Sequence, residues 1–295
     1  KKEEPVVADD DGFDDDFTVA TPYQGITTTP LDPYVQEDCY YGDNIQPHVL
    51  SQCECYNAID TIANDTMALY NKIRPDINQE IYDGKFDEPV NSCDPINQAL
   101  YWLSSGNTRD AGDLYQRFIM ALSYIKMNGT SWDLGNLWLS DDSECIWYGL
   151  KCNGQSRLNN FALDMNNVHG SIPTEISRLD SLRTLSMTRN HLSGKIPTEI
   201  ITMPNLEHTH LYANMFIGSI PEEIGQATKL KSLRLENNLF FGTITKEIGK
   251  ATNLEELSIG FNEFWRHIPT EIGLLTNLRW LVMEDNRLSG TLPTE

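Results

Sequence analysis

A 24-residue period runs through the second half of this 295-residue chain and constrains its fold more than any other feature. An Ile-Pro step stands at Ile172-Pro173, Ile196-Pro197, Ile220-Pro221 and Ile268-Pro269, with Ile244-Thr245 and Leu292-Pro293 in the same slot. An asparagine recurs in phase at Asn166, Asn190, Asn214, Asn238, Asn262 and Asn286. Four residues after each of these comes Gly170, Gly194, Gly218, Gly242 or Gly290, with Arg266 taking the slot in the fifth repeat. Self-similarity at this spacing marks a stacked-repeat architecture, in which one repeat cannot bury its apolar face alone.

Within each repeat the pattern Leu-x-x-Leu-x-Leu recurs, as at Leu182, Leu185 and Met187, or Leu230, Leu233 and Leu235. Its alternating end predicts a short strand with one face inward, and stacking such strands gives a parallel sheet. The asparagine amide suits the main-chain groups of the bend that follows the strand. The proline then stops ladder pairing and turns the chain. Glu223-Ile224-Gly225 and its equivalents read as a short helical turn on the convex side. The recurring Asn, Pro and Gly residues are therefore structural rather than catalytic.

This pattern resembles the plant-specific class of leucine-rich repeats, and Leu192-Ser193-Gly194-Lys195-Ile196-Pro197 matches its Leu-x-Gly-x-Ile-Pro signature directly. The segment before the first repeat resembles the N-terminal cap of such proteins. That cap ends in Cys-x-Trp-x-Gly-Val-x-Cys, and here Cys145-Ile146-Trp147-Tyr148-Gly149-Leu150-Lys151-Cys152 has Leu in place of Val. The resemblance covers roughly residues 109–295 and extends to receptor-like ectodomains and to algal leucine-rich-repeat surface proteins. It implies an α/β fold: a right-handed solenoid with a parallel β-sheet on the concave face, preceded by an enlarged α-helical, disulfide-bearing cap. It also implies a disulfide between Cys145 and Cys152.

Three regions follow: an acidic tail and Thr/Pro linker at 1–38, a helical cap at 39–156, and six repeats at 157–295 with the last incomplete. Asp9 to Phe17 holds six aspartates and reads as a solvated tail. In the cap, helical spacing of Val49, Leu50, Ala58, Ile62, Met67, Leu69 and Tyr70 predicts a helix between Pro47 and Ile73. A second is expected over Pro95 to Leu103 and a third over about Arg109 to Met127. Splitting the charge after Ser156 leaves 27 acidic and 9 basic residues before that point, and 16 acidic and 13 basic after it. The acidity therefore belongs to the tail and cap, not to the solenoid.

All six cysteines precede Arg157, and an even count fits disulfides. Cys53-Glu54-Cys55 has the wrong spacing for a zinc knuckle. It is also too tight to close on itself, so each of the two should reach Cys39 or Cys93, leaving two connectivities. Sequons at Asn64-Asp65-Thr66 and Asn128-Gly129-Thr130 fit the same secretory context. The chain opens Lys1-Lys2-Glu3-Glu4 without a leader and reads as a mature or trimmed product, or a fragment. A secreted or cell-surface location is expected.

The net charge of −21 argues against nucleic acid as a partner, because phosphate contact needs a basic footprint. No run approaches the roughly 18 apolar residues of a membrane span. There is no Gly-x-Ser-x-Gly, phosphate loop or kinase signature, so no enzyme activity, catalytic residue or cofactor is expected. Function should lie on the exposed residues that flank the buried leucines in columns up the solenoid. The residues chosen there as a partner-binding set are His208, His210, Tyr212, Arg234, Glu236, Phe261, Trp280 and Glu284, since aromatics and arginine are enriched at interface hot spots. His208 and His210 face the same way on one strand and could share a zinc ion, with Glu236 nearest by column. A third ligand is not evident, and no metal is assigned. The expected function is recognition of a protein or peptide through the concave face. The alternatives are a structural or adhesive subunit that self-associates through its uncapped C-terminal repeat, and an inhibitor of a secreted hydrolase.

Overall fold

The computed structural model describes residues 64–86, 94–105 and 113–291, all within one unit, 39–295. The acidic tail, Cys39, Cys53, Cys55, Cys93, residues 47–63 and the Leu292-Pro293 step lie outside the described residues. So does the side chain of Asn64.

Three helices form the cap: α1 (Asn64–Tyr82), α2 (Pro95–Ser105) and α3 (Leu114–Lys126). α1 runs on past Ile73, where the expected helix ends, and through Pro75 to Tyr82. Pro75 is exposed, while Ile73, Ile77 and Ile81 keep one continuous buried face, so packing outweighs the lost backbone donor. α3 begins later than expected, because Asp113 is its N-cap and its carboxylate accepts from the Tyr115 N–H.

α2 and α3 pack on an aromatic cluster. Trp138 lies 4.9 Å from Trp132, 5.2 Å from Trp147 and 6.0 Å from Phe161 of the first repeat, between ring centroids. Every indole N–H in the cluster donates to a backbone carbonyl: Trp102 to Leu139, Trp132 to Met127, Trp138 to Tyr148 and Trp147 to Asp142. Arg117 is wholly buried between Trp102 and Trp147, with its guanidinium carbon 5.2 Å from each ring. It donates to the carbonyls of Ser140 and Asp142 and lies 3.5 Å from Glu144. Gln116 links this network onward, donating to Glu144 Oε1 at 2.7 Å and accepting from the Leu158 N–H at 2.6 Å.

Strand β1 (Leu150–Cys152) pairs antiparallel with β2 (Leu158–Ala162) and covers the N-terminal edge of the long sheet. Cys145 and Cys152 are disulfide-bonded, as the family resemblance implied. From β2 the sheet grows by parallel addition of β4 (Thr184–Ser186), β6 (His208–His210), β8 (Ser232–Arg234), β10 (Glu256–Ser258) and β12 (Trp280–Val282). Short helical turns at Thr174–Arg178, Thr198–Ile201, Glu222–Gln226, Lys246–Lys250 and Thr270–Leu274 return the chain. They bury Ile176, Ile200, Ile224 and Ile248 against the leucines. The fold is thus an α/β leucine-rich-repeat solenoid behind a helical, disulfide-bearing cap.

Each asparagine lines the bend. Asn214 accepts from the Leu192 N–H and donates to the carbonyls of Met187 and Leu211; Asn238 and Asn262 repeat this one and two turns on. The sequence reading assigned no strand to the stretch between each asparagine and the following proline step. That stretch contributes to a second, six-stranded sheet: β3 (His169–Gly170), β5 (His191–Gly194), β7 (Met215–Gly218), β9 (Leu239–Gly242), β11 (Glu263–Arg266) and β13 (Arg287–Leu288). Its buried positions include Phe216, Phe240 and Phe264, whose rings stack 6.2 and 6.3 Å apart. The proline begins the helical turn only after this strand has paired.

Candidate partner-binding face

The 24-residue spacing maps directly onto strand register. Thr184, His208, Ser232, Glu256 and Trp280 are successive partners, as are Ser186, His210, Arg234, Ser258 and Val282. Between these columns Leu185, Thr209, Leu233 and Leu257 point inward and are wholly buried. Beyond the strand ends the ladder continues, with the N–H of Arg189, Ala213 and Phe261 donating to the carbonyls of Tyr212, Glu236 and Glu284. Arg189, Ala213, Asn237, Phe261 and Asp285 therefore follow the strands rather than belonging to them, each with a φ between 48° and 55° in the left-handed region.

The structure gathers part of the expected set around Arg234. Its guanidinium lies 4.6 Å over the Tyr212 ring and donates through Nη2 and Nε to Glu236 Oε1, at 2.6 and 3.1 Å. Glu256 Oε1 lies 3.5 Å from Arg234 Nε. Ser232 donates its hydroxyl to Glu256 Oε2 at 2.6 Å and contacts His210 Nε2 at 3.0 Å. Since the serine proton goes to the carboxylate, Nε2 must be the donor to Ser232 Oγ. The histidine thus cannot draw a proton from that serine, and the arrangement does not make a nucleophile. Burial holds the His210 pKa below its usual value, with Arg234 and His208 acting the same way.

His208 and His210 sit 6.0 Å apart between ring centroids, and His210 and Glu236 are engaged by Ser232 and Arg234 instead. Phe261, Trp280 and Glu284 are exposed, one and two repeats beyond the Arg234 cluster. Ser232 and Glu256 lie in the same columns but outside the expected set, and their part is visible only from hydrogen-bond geometry. Asp164 is a third such residue, accepting at Oδ1 from the Ser186 and Thr188 hydroxyls and the Thr188 N–H. Of the sequons, Asn128 is exposed at φ 54° before a helical turn, and the Thr130 hydroxyl donates to its side-chain oxygen at 3.1 Å.

The second sheet carries an exposed apolar stripe. Met215, Ile217, Leu239, Phe241 and Trp265 are exposed on it, and the Phe241 and Trp265 rings stack 6.1 Å apart. Alternation around the buried Phe216, Phe240 and Phe264 carries the signal that could have located them.

Comparison with known proteins agrees with this architecture. A model of the Leucine Rich Repeat family matches residues 181–203. A probable leucine-rich repeat receptor-like protein kinase of Arabidopsis thaliana is 41% identical over 59 residues, 19% of this chain. The chain spans only 6% of that relative's length. Among solved structures, the leucine-rich-repeat ectodomain of the plant membrane receptor kinase GASSHO1/SCHENGEN3 from Arabidopsis thaliana, in complex with Casparian strip integrity factor 2, is 31% identical, with a TM-score of 0.51. That match covers 55% of this chain and 20% of the other. The ectodomain of the receptor kinase SOBIR1 from Arabidopsis thaliana shares the fold at 24% identity and a TM-score of 0.53, covering 61% of this chain and 98% of its own.

Proposed function

We propose that this chain, which resembles the leucine-rich-repeat ectodomains of plant receptor kinases, is an extracellular or cell-surface recognition module that binds a protein or peptide across the concave face of its long sheet. The observation that carries the reading is the row formed by His210, Tyr212, Arg234 and Glu236 in the middle repeats, with Phe261 and Trp280 exposed beyond it. Aromatic rings and a guanidinium set on rigid strands lose little conformational entropy when a partner covers them. The similar GASSHO1/SCHENGEN3 ectodomain, solved in complex with Casparian strip integrity factor 2, supports a binding role. The disulfide and the exposed Asn128 sequon support a secretory route, with glycan carried at Asn128.

Partners captured from the extracellular medium and identified by mass spectrometry should bind wild type, and Tyr212→Ala and Trp280→Ala should each weaken them by about tenfold or more. Unchanged affinity in both variants would refute the concave-face reading.

A further inference from the structure

Two of the six histidines meet across the second sheet, away from the concave face. His169 in β3 and His191 in β5 are direct register partners, and their rings stack with centroids 4.7 Å apart and planes 28° from parallel. The backbone holds both residues in place. The His169 N–H donates to the Met127 carbonyl of the cap, and the His191 N–H donates to the Val168 carbonyl of the first repeat. The cap approaches β3 closely, since a Cβ on Gly170 would stand 2.6 Å from the Lys126 carbonyl oxygen. His169 Nδ1 lies 2.7 Å from the Asn167 carbonyl oxygen. A carbonyl only accepts, so Nδ1 carries the proton and Nε2 keeps its lone pair in the neutral ring. His191 is exposed, and neither of its ring nitrogens is hydrogen-bonded among the described residues. A backbone carbonyl at Nδ1 is the contact that sets the tautomer and orientation of a metal-ligating imidazole. Two imidazoles bound side by side to one ion at about 2.0 Å hold their ring centroids roughly 4.5–5 Å apart. The His208–His210 pair meets neither condition: its centroids are 6.0 Å apart, and His210 Nε2 is taken by Ser232.

We propose that His169 and His191 form a two-imidazole site for a late first-row transition-metal ion, copper(II) foremost. Neutral imidazole suits copper, nickel and zinc, and among these divalent ions a given nitrogen site holds copper most tightly. Calcium and magnesium are unsuited, because they take oxygen ligands. Among the described residues no group of three or more His, Cys, Asp or Glu is poised to hold a metal, so water or a donor from a partner fills the remaining positions. The bound ion ties β3 of the first repeat to β5 of the second, beside the cap, and stabilises that end of the solenoid by mass action. The site is independent of the concave-face reading, since it lies on the other sheet.

The test titrates copper(II) into the full, disulfide-intact chain and follows it by calorimetry and electron paramagnetic resonance. One equivalent should bind with hyperfine structure from two imidazole nitrogens. His169→Gln and His191→Gln should each weaken that equivalent by about tenfold or more and remove one nitrogen from the spectrum. His208→Gln and His210→Gln should change neither. Copper should raise the unfolding temperature of wild type and of neither His169→Gln nor His191→Gln. Equal unfolding temperatures without metal show that the variants are folded, and if His169→Gln is not, the exposed His191 decides alone. Nickel(II) and zinc(II) should compete more weakly than copper, and calcium not at all. Copper held equally well by both variants, at the amino terminus or the aspartate run, would overturn the site. So would a spectrum with a single imidazole nitrogen, or displacement by calcium.

Discussion

Arg117 in the cap lies between Trp102 and Trp147 and faces Glu144; Arg234 in the repeats lies over Tyr212 and bonds Glu236. The two assemblies use the same chemistry, an arginine held by aromatic faces and a carboxylate. They differ in access to water. The Arg117 and Glu144 side chains are 0% and 2% exposed, whereas Arg234 and Glu236 are 35% and 11% exposed. A buried ion pair is costly to break because the remaining charge stays buried. A pair whose arginine reaches solvent contributes less to stability, since water screens it. The first therefore holds the cap together, and the second leaves its chemistry nearer to solvent on the concave face.

Substitution separates the two roles. Arg117→Ala should destabilise the chain by about 3–5 kcal/mol, since it strands Glu144 and opens a cavity between two tryptophans. Arg234→Ala should cost about 1 kcal/mol or less. Chemical denaturation of both variants checks the contrast, and equal losses would break it. Next in size is the Cys145–Cys152 bridge, whose loss in the paired Cys→Ser variant should cost about 2.5 kcal/mol for so short a loop. That loss should appear in the cap, as faster hydrogen exchange around β1 and β2, before it reaches the later repeats.

Arg266 offers a smaller effect of opposite sign. It adopts φ 71° in a slot that glycine fills, also at positive φ, in the other described repeats. Arg266→Gly should therefore raise stability by about 1 kcal/mol, and a lower unfolding midpoint would contradict the assignment of strain. The smallest effect is the pH dependence from His210. Its native pKa is depressed, chiefly by burial, so the unfolded chain takes up the proton first as the solution is acidified. The stability it contributes is complete above its unfolded pKa, about 6.5, and is lost as pH falls from there toward the lower native value. His210→Gln should flatten stability over that window; an unchanged acid slope would place the dependence elsewhere.

The same contrast shows what could be read from the chain alone. Repetition made the solenoid legible: a fixed 24-residue offset is also the strand register, so the order of Thr184, His208, Ser232, Glu256 and Trp280 follows from counting. The asparagine bend was legible for the same reason. The second sheet was missed because its strands are two to four residues long and carry at most one buried side chain each, too few for alternation to stand out. α1 extends past Ile73, where its expected span ends, because Ile77 and Ile81 continue the buried face while Pro75 is exposed. Arg117 gave no signal, because its partners lie 15 to 30 residues away and meet it only through tertiary packing. On the candidate face the columns were readable, but not the direction of the His210–Ser232–Glu256 bonds, which depends on side-chain geometry.

The central claim is that a partner sits on the long sheet and not on the apolar stripe of the second. Hydroxyl-radical footprinting of the chain with a captured partner tests it directly, because oxidisable side chains report from both surfaces. Protection of Tyr212, Phe261 and Trp280, with Met215, Phe241 and Trp265 still reactive, is the predicted result. Protection of Met215, Phe241 and Trp265, with Tyr212 and Trp280 left reactive, would contradict it.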